Sequence, residues 1–219
     1  MGKSFIIVIC LLSAVALQAQ KRKEIDLPDQ KGTLLKKEKI GIWKFYENGK
    51  LVLEYDYDAD RVIFQQSIED KSYFVKGQDW YPVAKLEVYP RYKGSYIQFY
   101  QTIYKHVQYP QEAQNKGIEG TSFLSFEVDE QGNAINPEIH HDLGYGCSRE
   151  IMRVFNKVRD HWIPAVKDGQ ALRTKFVIPF VFSFFETPYL LSIAEDLPSA
   201  ALLDGVNVTL VSSKINLYE

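Results

Sequence analysis

The chain has 219 residues, which allows one ordinary domain or two small ones, and its 46% hydrophobic and 25% charged content is that of a globular protein. A formal net charge of -2, with no basic stripe, leaves no electrostatic footprint for nucleic acid. Aromatic residues make up 14% of the chain, which together with only short helical patterns favours strands.

Residues 1–19 read as an export signal and not as part of the fold. Lys3 gives a small positive start, Phe5 to Leu17 an apolar stretch, and Ala19 a small residue before the expected cut. The apolar stretch is shorter than the roughly 20 residues a membrane-crossing helix needs. Membrane association is therefore expected only if this segment is retained. Cys10 follows Ile9 mid-run, where a lipoprotein signal wants a small residue, so acylation is not the favoured reading. Export is the expectation. It leaves Cys147 as the single cysteine, unable to form an internal disulfide. Its place beside Gly146 and Ser148 at a helix start allows a reactive thiol, but a small buried packing residue is the preferred reading.

Residues 20–38 are charged, lack periodicity, and read as a loose lead-in. Structure is expected from Lys39. Ile42, Trp43, Phe45 and Tyr46 lead into Asn48-Gly49, and Leu51, Leu53, Tyr55 and Tyr57 follow at period two. Asn-Gly between apolar runs is a hairpin signal, because both central residues of a type I′ turn need positive φ. The motif Gly41-x-Trp43-x-Phe45-Tyr46-x-Asn48-Gly49-Lys50 resembles a single MORN-like repeat, so residues 39–89 are expected to form a β-rich MORN-like region. Further strands are expected at Val62–Phe64, Tyr73–Val75 and Leu86–Tyr89.

Arg91 to Gly94 is a turn signal, and Tyr96, Phe99, Tyr100, Ile103, Tyr104 and Val107 then form an apolar helical stripe. Tyr109-Pro110 ends that helix. Leu124, Phe126 and Val128 share one face of a first strand, Asp129 to Asn133 is a turn, and Ile135 to His141 is a second strand. Pro137 makes the second strand an edge or gives it a bulge. Ser148 is the expected N-cap of a helix carrying Ile151, Val154, Phe155, Val158 and Trp162 on one side. A third strand runs from about Lys175 to Phe185, with Phe176, Ile178, Phe180, Phe182 and Phe184 alternating.

Chemistry is hard to place on this chain. His140 and His141 are adjacent, so a strand sends them to opposite faces, and with Cys147 they make no recognised metal spacing. His161 suits a helix end, where a cation meets the carbonyl dipole. Gly144-x-Gly146 lacks the rest of a dinucleotide fingerprint, and no serine sits in a nucleophile elbow. Asn207-Val208-Thr209 matches a glycosylation acceptor, a short motif frequent by chance. The expectation is a non-enzymatic protein with no catalytic residue, metal or cofactor.

One continuous pattern carries a resemblance. Tyr109-Pro110-x-Glu112-Ala113, Gly117-Ile118-Glu119-Gly120, Val128-Asp129-Glu130-Gln131-Gly132, Gly144-Tyr145-Gly146-Cys147, Trp162-Ile163-Pro164-Ala165, Asp168-Gly169 and Phe176 to Phe182 together resemble the C-terminal domain of TonB. Pro90 and Gly94 also match exported TonB-like chains, with Ser95 where a second glycine is common. The resemblance implies an α+β domain over residues 90–186: a small antiparallel sheet with two helices on one face, preceded by the hairpin-rich region. Tyr109, Pro110, Gly117, Gly120, Gly132, Trp162 and Pro164 are its structural motif.

The resemblance also implies a role in TonB-dependent transport in the Gram-negative periplasm. The partner would be an outer-membrane transporter or another envelope protein, taken up by strand addition at an exposed sheet edge. Val177, Ile178, Phe180, Val181, Phe182 and Ser183 are the expected partner-binding residues, with Phe180 and Phe182 anchoring the strand and Val177, Val181 and Ser183 facing away. The chain shows no long Pro-rich spacer of the kind an energy transducer of that family carries. In the 187–219 extension, Val206, Val208, Leu210 and Ile215 suit a further strand, expected to pair with the very edge a partner would use. The alternative is a structural or assembly protein using the fold as a packing or dimerisation module, with a homodimer formed by strand exchange.

Overall fold

A computed structural model of the chain describes residues 22–67, 72–184, 201–202 and 208–211. The expected signal at 1–19, the end of the third strand at Phe185, and Val206, Asn207 and Ile215 lie outside the described residues. The chain divides into two compact units, residues 1–66 and 67–219.

The first unit is an antiparallel meander of five strands in chain order: β1 (Arg22–Leu27), β2 (Gln30–Leu35), β3 (Glu38–Glu47), β4 (Lys50–Asp56) and β5 (Arg61–Gln65). The β3–β4 hairpin turns at Asn48 (φ 49°) and Gly49 (φ 75°), the backbone a type I′ turn demands. The expected lead-in over 20–38 is corrected here: from Arg22 on it is strand. Its charges hid this, because β1 is exposed on nearly all its length and its pairing rests on main-chain bonds and pairs such as Lys31–Asp26 at 2.8 Å. The β2–β3 turn is made by Lys36 (φ 52°) and Lys37 (φ 76°), residues that do not announce positive φ.

Trp43 is the centre of this sheet's buried face. Its ring lies so close to Gly32 that a Cβ there would stand 2.3 Å from it, and its indole N–H donates to the Thr33 and Ile40 carbonyls at 3.2 Å. The Lys39 ammonium sits 4.6 Å above the same ring and 4.5 Å above Phe45, and burial pulls its pKa down to about 8.

The second unit is α+β. Its main sheet uses β6 (Tyr73–Lys76), β7 (Trp80–Val83), β9 (Gly120–Val128), β10 (Ala134–His140) and β14 (Thr174–Ser183) in the order β10-β9-β14-β6-β7. Two short C-terminal strands, β15 (Ala201–Leu202) and β16 (Val208–Val211), also pair with β14. Small ribbons join β8 (Arg91–Tyr92) to β11 (Trp162–Ile163) and β12 (Ala165–Lys167) to β13 (Gln170–Leu172). Residues 73–83, read from sequence as part of the N-terminal region, thus belong to the sheet of the C-terminal unit.

Three helices occur among the described residues: α1 (Tyr96–His106), α2 (Gln111–Asn115) and α3 (Cys147–Phe155). Ser95 caps α1, its hydroxyl accepting the Gln98 N–H at 3.2 Å. The expected Ser148 cap is corrected: Gly146, at φ 88°, is the N-cap of α3, and Ser148 lies in the first turn donating to the Asp142 carboxylate. Glycine takes the cap because the chain enters in a left-handed conformation there. The helix also stops at Phe155, so Val158, His161 and Trp162 lie beyond it. The second strand shows both features that Pro137 implied. β10 is an edge, and its register with β9 shifts between Ile135 and Glu138.

One face of the sheet carries Leu124, Phe126, Val128, Phe176, Ile178, Phe180 and Phe182 into the core with Phe99, Ile103, Ile151, Val154 and Phe155 of the helices. Phe126 is central, with ring centroids 5.0 Å from Phe155, 5.1 Å from Trp162 and 5.7 Å from Phe176.

Candidate strand-pairing edge

The residues of the Tyr-Pro and glycine motif work as braces around β9 and β14. Tyr109 donates its hydroxyl to the Ile118 carbonyl, and its ring stacks edge-on to Phe182 at 5.3 Å and lies 5.5 Å from Phe184. Burial, with Glu119 adding to it, pushes that hydroxyl up to about 12, so Tyr109 is a neutral donor. Pro110 stands at the N-cap of α2 and Ala113 is fully buried. Gly117 closes the helix at φ 65°.

Gly132 closes the turn after β9 at φ 81°, where a Cβ would stand 2.3 Å from the Trp162 carbonyl oxygen. That oxygen approaches because the Trp162 N–H in turn donates to the Gly132 carbonyl at 3.2 Å. Pro164 is the next neighbour, 3.6 Å from the same Cβ position. Asp129 holds the turn shut, its Oδ1 accepting the N–H groups of Asn133 at 2.8 Å and Gln131 at 3.0 Å. Burial opposes the charge on Asp129, yet these N–H groups, the Asn133 amide and Arg173 outweigh it and hold the carboxyl below the usual range.

These braces fix β14, which has two very different sides. Along one, β9 pairs antiparallel from Thr174 to Phe182 without a break. Along the other, three short strands follow one another. β6 covers Thr174–Lys175, β15 runs parallel beside Phe176–Val177, and β16 runs parallel beside Phe180–Ser183. The gap between β15 and β16 falls at Ile178 and Pro179, and Pro179 has no N–H to give. At its end Ser183 Oγ donates to Glu119 at 3.2 Å, and the Phe184 N–H does so at 2.7 Å. Glu119 stands inside the quoted Gly117–Gly120 pattern, but this contact with the end of β14 is not legible from it.

All six residues expected at the edge lie on this strand. Ile178, Phe180 and Phe182 enter the core. Val177, Val181 and Ser183 lie on the opposite face of the strand and are 1%, 7% and 4% exposed.

Among the described residues the remaining polar side chains show no assembled centre. Cys147 is fully buried, and burial pushes its thiol up to about 11, which makes it a packing residue. His140 shares a 2.8 Å hydrogen bond with Ser125 Oγ, and His141 packs on Phe123. Among the described residues no three His, Cys, Asp or Glu side chains could hold a metal ion together.

Residues 105–184 match the family described as Gram-negative bacterial TonB protein C-terminal. The match runs from the last two residues of α1 through β14 and supports a TonB-like envelope domain in that part of the chain. It does not reach the expected MORN-like motif at 39–57. Comparison with curated proteins and with solved structures gives no match. TonB C-terminal domains as a family interact with outer-membrane proteins and carry out energy transduction or binding rather than chemistry. No helix among the described residues is long and apolar enough to cross a membrane.

Proposed function

We propose that this chain is an exported, non-enzymatic envelope protein that binds an outer-membrane transporter or a related outer-membrane protein by β-strand addition along β14, in association with TonB-dependent transport. The observation that carries the reading is the outer side of β14. It pairs with one short parallel strand, β16, through main-chain groups at Phe180–Ser183, within the residues matched to the TonB C-terminal family. Main-chain groups would supply the affinity and alternate side-chain positions the specificity. The Tyr109 contact with Phe182 and the nine pairs with β9 hold β14 in register, so a partner would meet a formed template.

A photo-reactive benzoyl-phenylalanine at Phe184, the half-buried residue after β14, tests this in the intact chain. Illumination against solubilised outer membranes should cross-link an outer-membrane protein. The same group at Tyr145, 43% exposed before α3, should not. Equal yields from both positions, or cross-links to soluble proteins alone, would contradict the reading.

A further inference from the structure

We propose that β16 is an exchangeable strand that fills the partner's place on β14, so that a partner binds by displacing residues 208–211. Displacement by a partner rests on the reading above; occupancy of the edge by this chain's own tail does not.

Three features of the pairing mark β16 as the removable member. It pairs with β14 over four residues, Phe180↔Val208 to Ser183↔Val211, while β9 pairs over nine on the other side. Its pairing is parallel, which is slightly weaker per residue than antiparallel. It is also not continuous with a second long pairing. β15 adds only Phe176↔Ala201 and Val177↔Leu202, and the Ile178-Pro179 step separates the two. Loss of β16 therefore exposes main-chain groups of residues 180–183 while the nine β9 pairs keep β14 in place.

The register defines what can replace it. Val208 and Leu210 stand opposite Phe180 and Phe182, and Thr209 and Val211 opposite Val181 and Ser183. A competing segment is an extended, uncharged stretch with aliphatic residues at alternate positions, after the order Val-x-Leu-x. Occupancy in cis lowers the apparent affinity for any such segment by the fraction of time the edge is open.

The probe is a labelled peptide of this chain's own residues 206–212, added in trans to the full chain. Thr209→Pro removes a main-chain donor in the middle of β16 and should open the edge. The variant should bind the peptide at least tenfold more tightly than the parent chain, with an unchanged near-ultraviolet spectrum. A second variant, Val181→Cys with Thr209→Cys, joins paired positions; it should form a disulfide, bind no peptide when oxidised, and recover the parent affinity on reduction. Equal affinity of parent and Thr209→Pro, no binding by either, or binding undiminished in the cross-linked chain overturns the proposal. The peptide holds no outer-membrane sequence. A tenfold difference without any outer-membrane cross-link would thus remove the partner reading and leave the exchangeable strand.

Discussion

Two glycines of the motif share a backbone conformation and differ in what surrounds them. Gly117 and Gly132 have φ of 65° and 81°, but a Cβ at Gly117 meets nothing within 4 Å while one at Gly132 stands 2.3 Å from a carbonyl oxygen. Gly117→Ala should cost about 1–2 kcal/mol, the strain of a left-handed alanine alone. Gly132→Ala must also part the turn from Trp162 and should cost more than that, which urea unfolding of the two variants compares directly. Asp129 in the same turn sets an acid dependence. Its folded pKa is depressed, so its contribution is complete above the ordinary aspartate value of about 4 and is lost as pH falls through the lower folded value. Asp129→Ala should cost about 1–3 kcal/mol at pH 7, where the part-buried bonds from Gln131 and Asn133 lose their charged acceptor, and distinctly less at pH 3. An equal loss at both pH values would refute this account of the turn.

At the level of elements, legibility followed how loudly each residue states its backbone need. Asn48-Gly49 declared its hairpin and Pro137 its bulged edge, because positive φ and a missing N–H leave few alternatives. Lys36-Lys37 make the same kind of turn without such a signal, and with the charges of β1 they hid two strands. Gly146 displaced Ser148 as the cap of α3 because tertiary placement of the Gly144–Cys147 turn, not hydroxyl propensity, decides the entry. The apolar stripes of α1, α3 and β14 were legible since burial imposes their period. What lay on the far side of β14 was legible as a tendency of Val208 and Leu210, but not its parallel direction, which a short pattern leaves undetermined. The packing of these elements centres on Phe126 between both sheet strands and α3. Phe126→Ala should destabilise the intact chain by about 3–5 kcal/mol in urea unfolding. A loss below 1 kcal/mol would mean that the helix layer does not lean on this sheet face.

At the scale of the whole molecule, nothing in its charge directs it to nucleic acid, and the proposed binding uses main-chain groups of one strand. The assembly reading uses those same groups: β16 of one copy on β14 of another would give a strand-exchanged dimer, visible as mass that rises with concentration in sedimentation. The central claim is that the outer side of β14 is where an outer-membrane partner binds, and one capture experiment tests it most directly. The Val181→Cys, Thr209→Cys chain, which pairs the two cysteines across that edge, is presented to solubilised outer membranes oxidised and then reduced. The account predicts recovery of an outer-membrane protein by the reduced chain and its loss on oxidation. Recovery that ignores the cross-link, or none in either state, would contradict it.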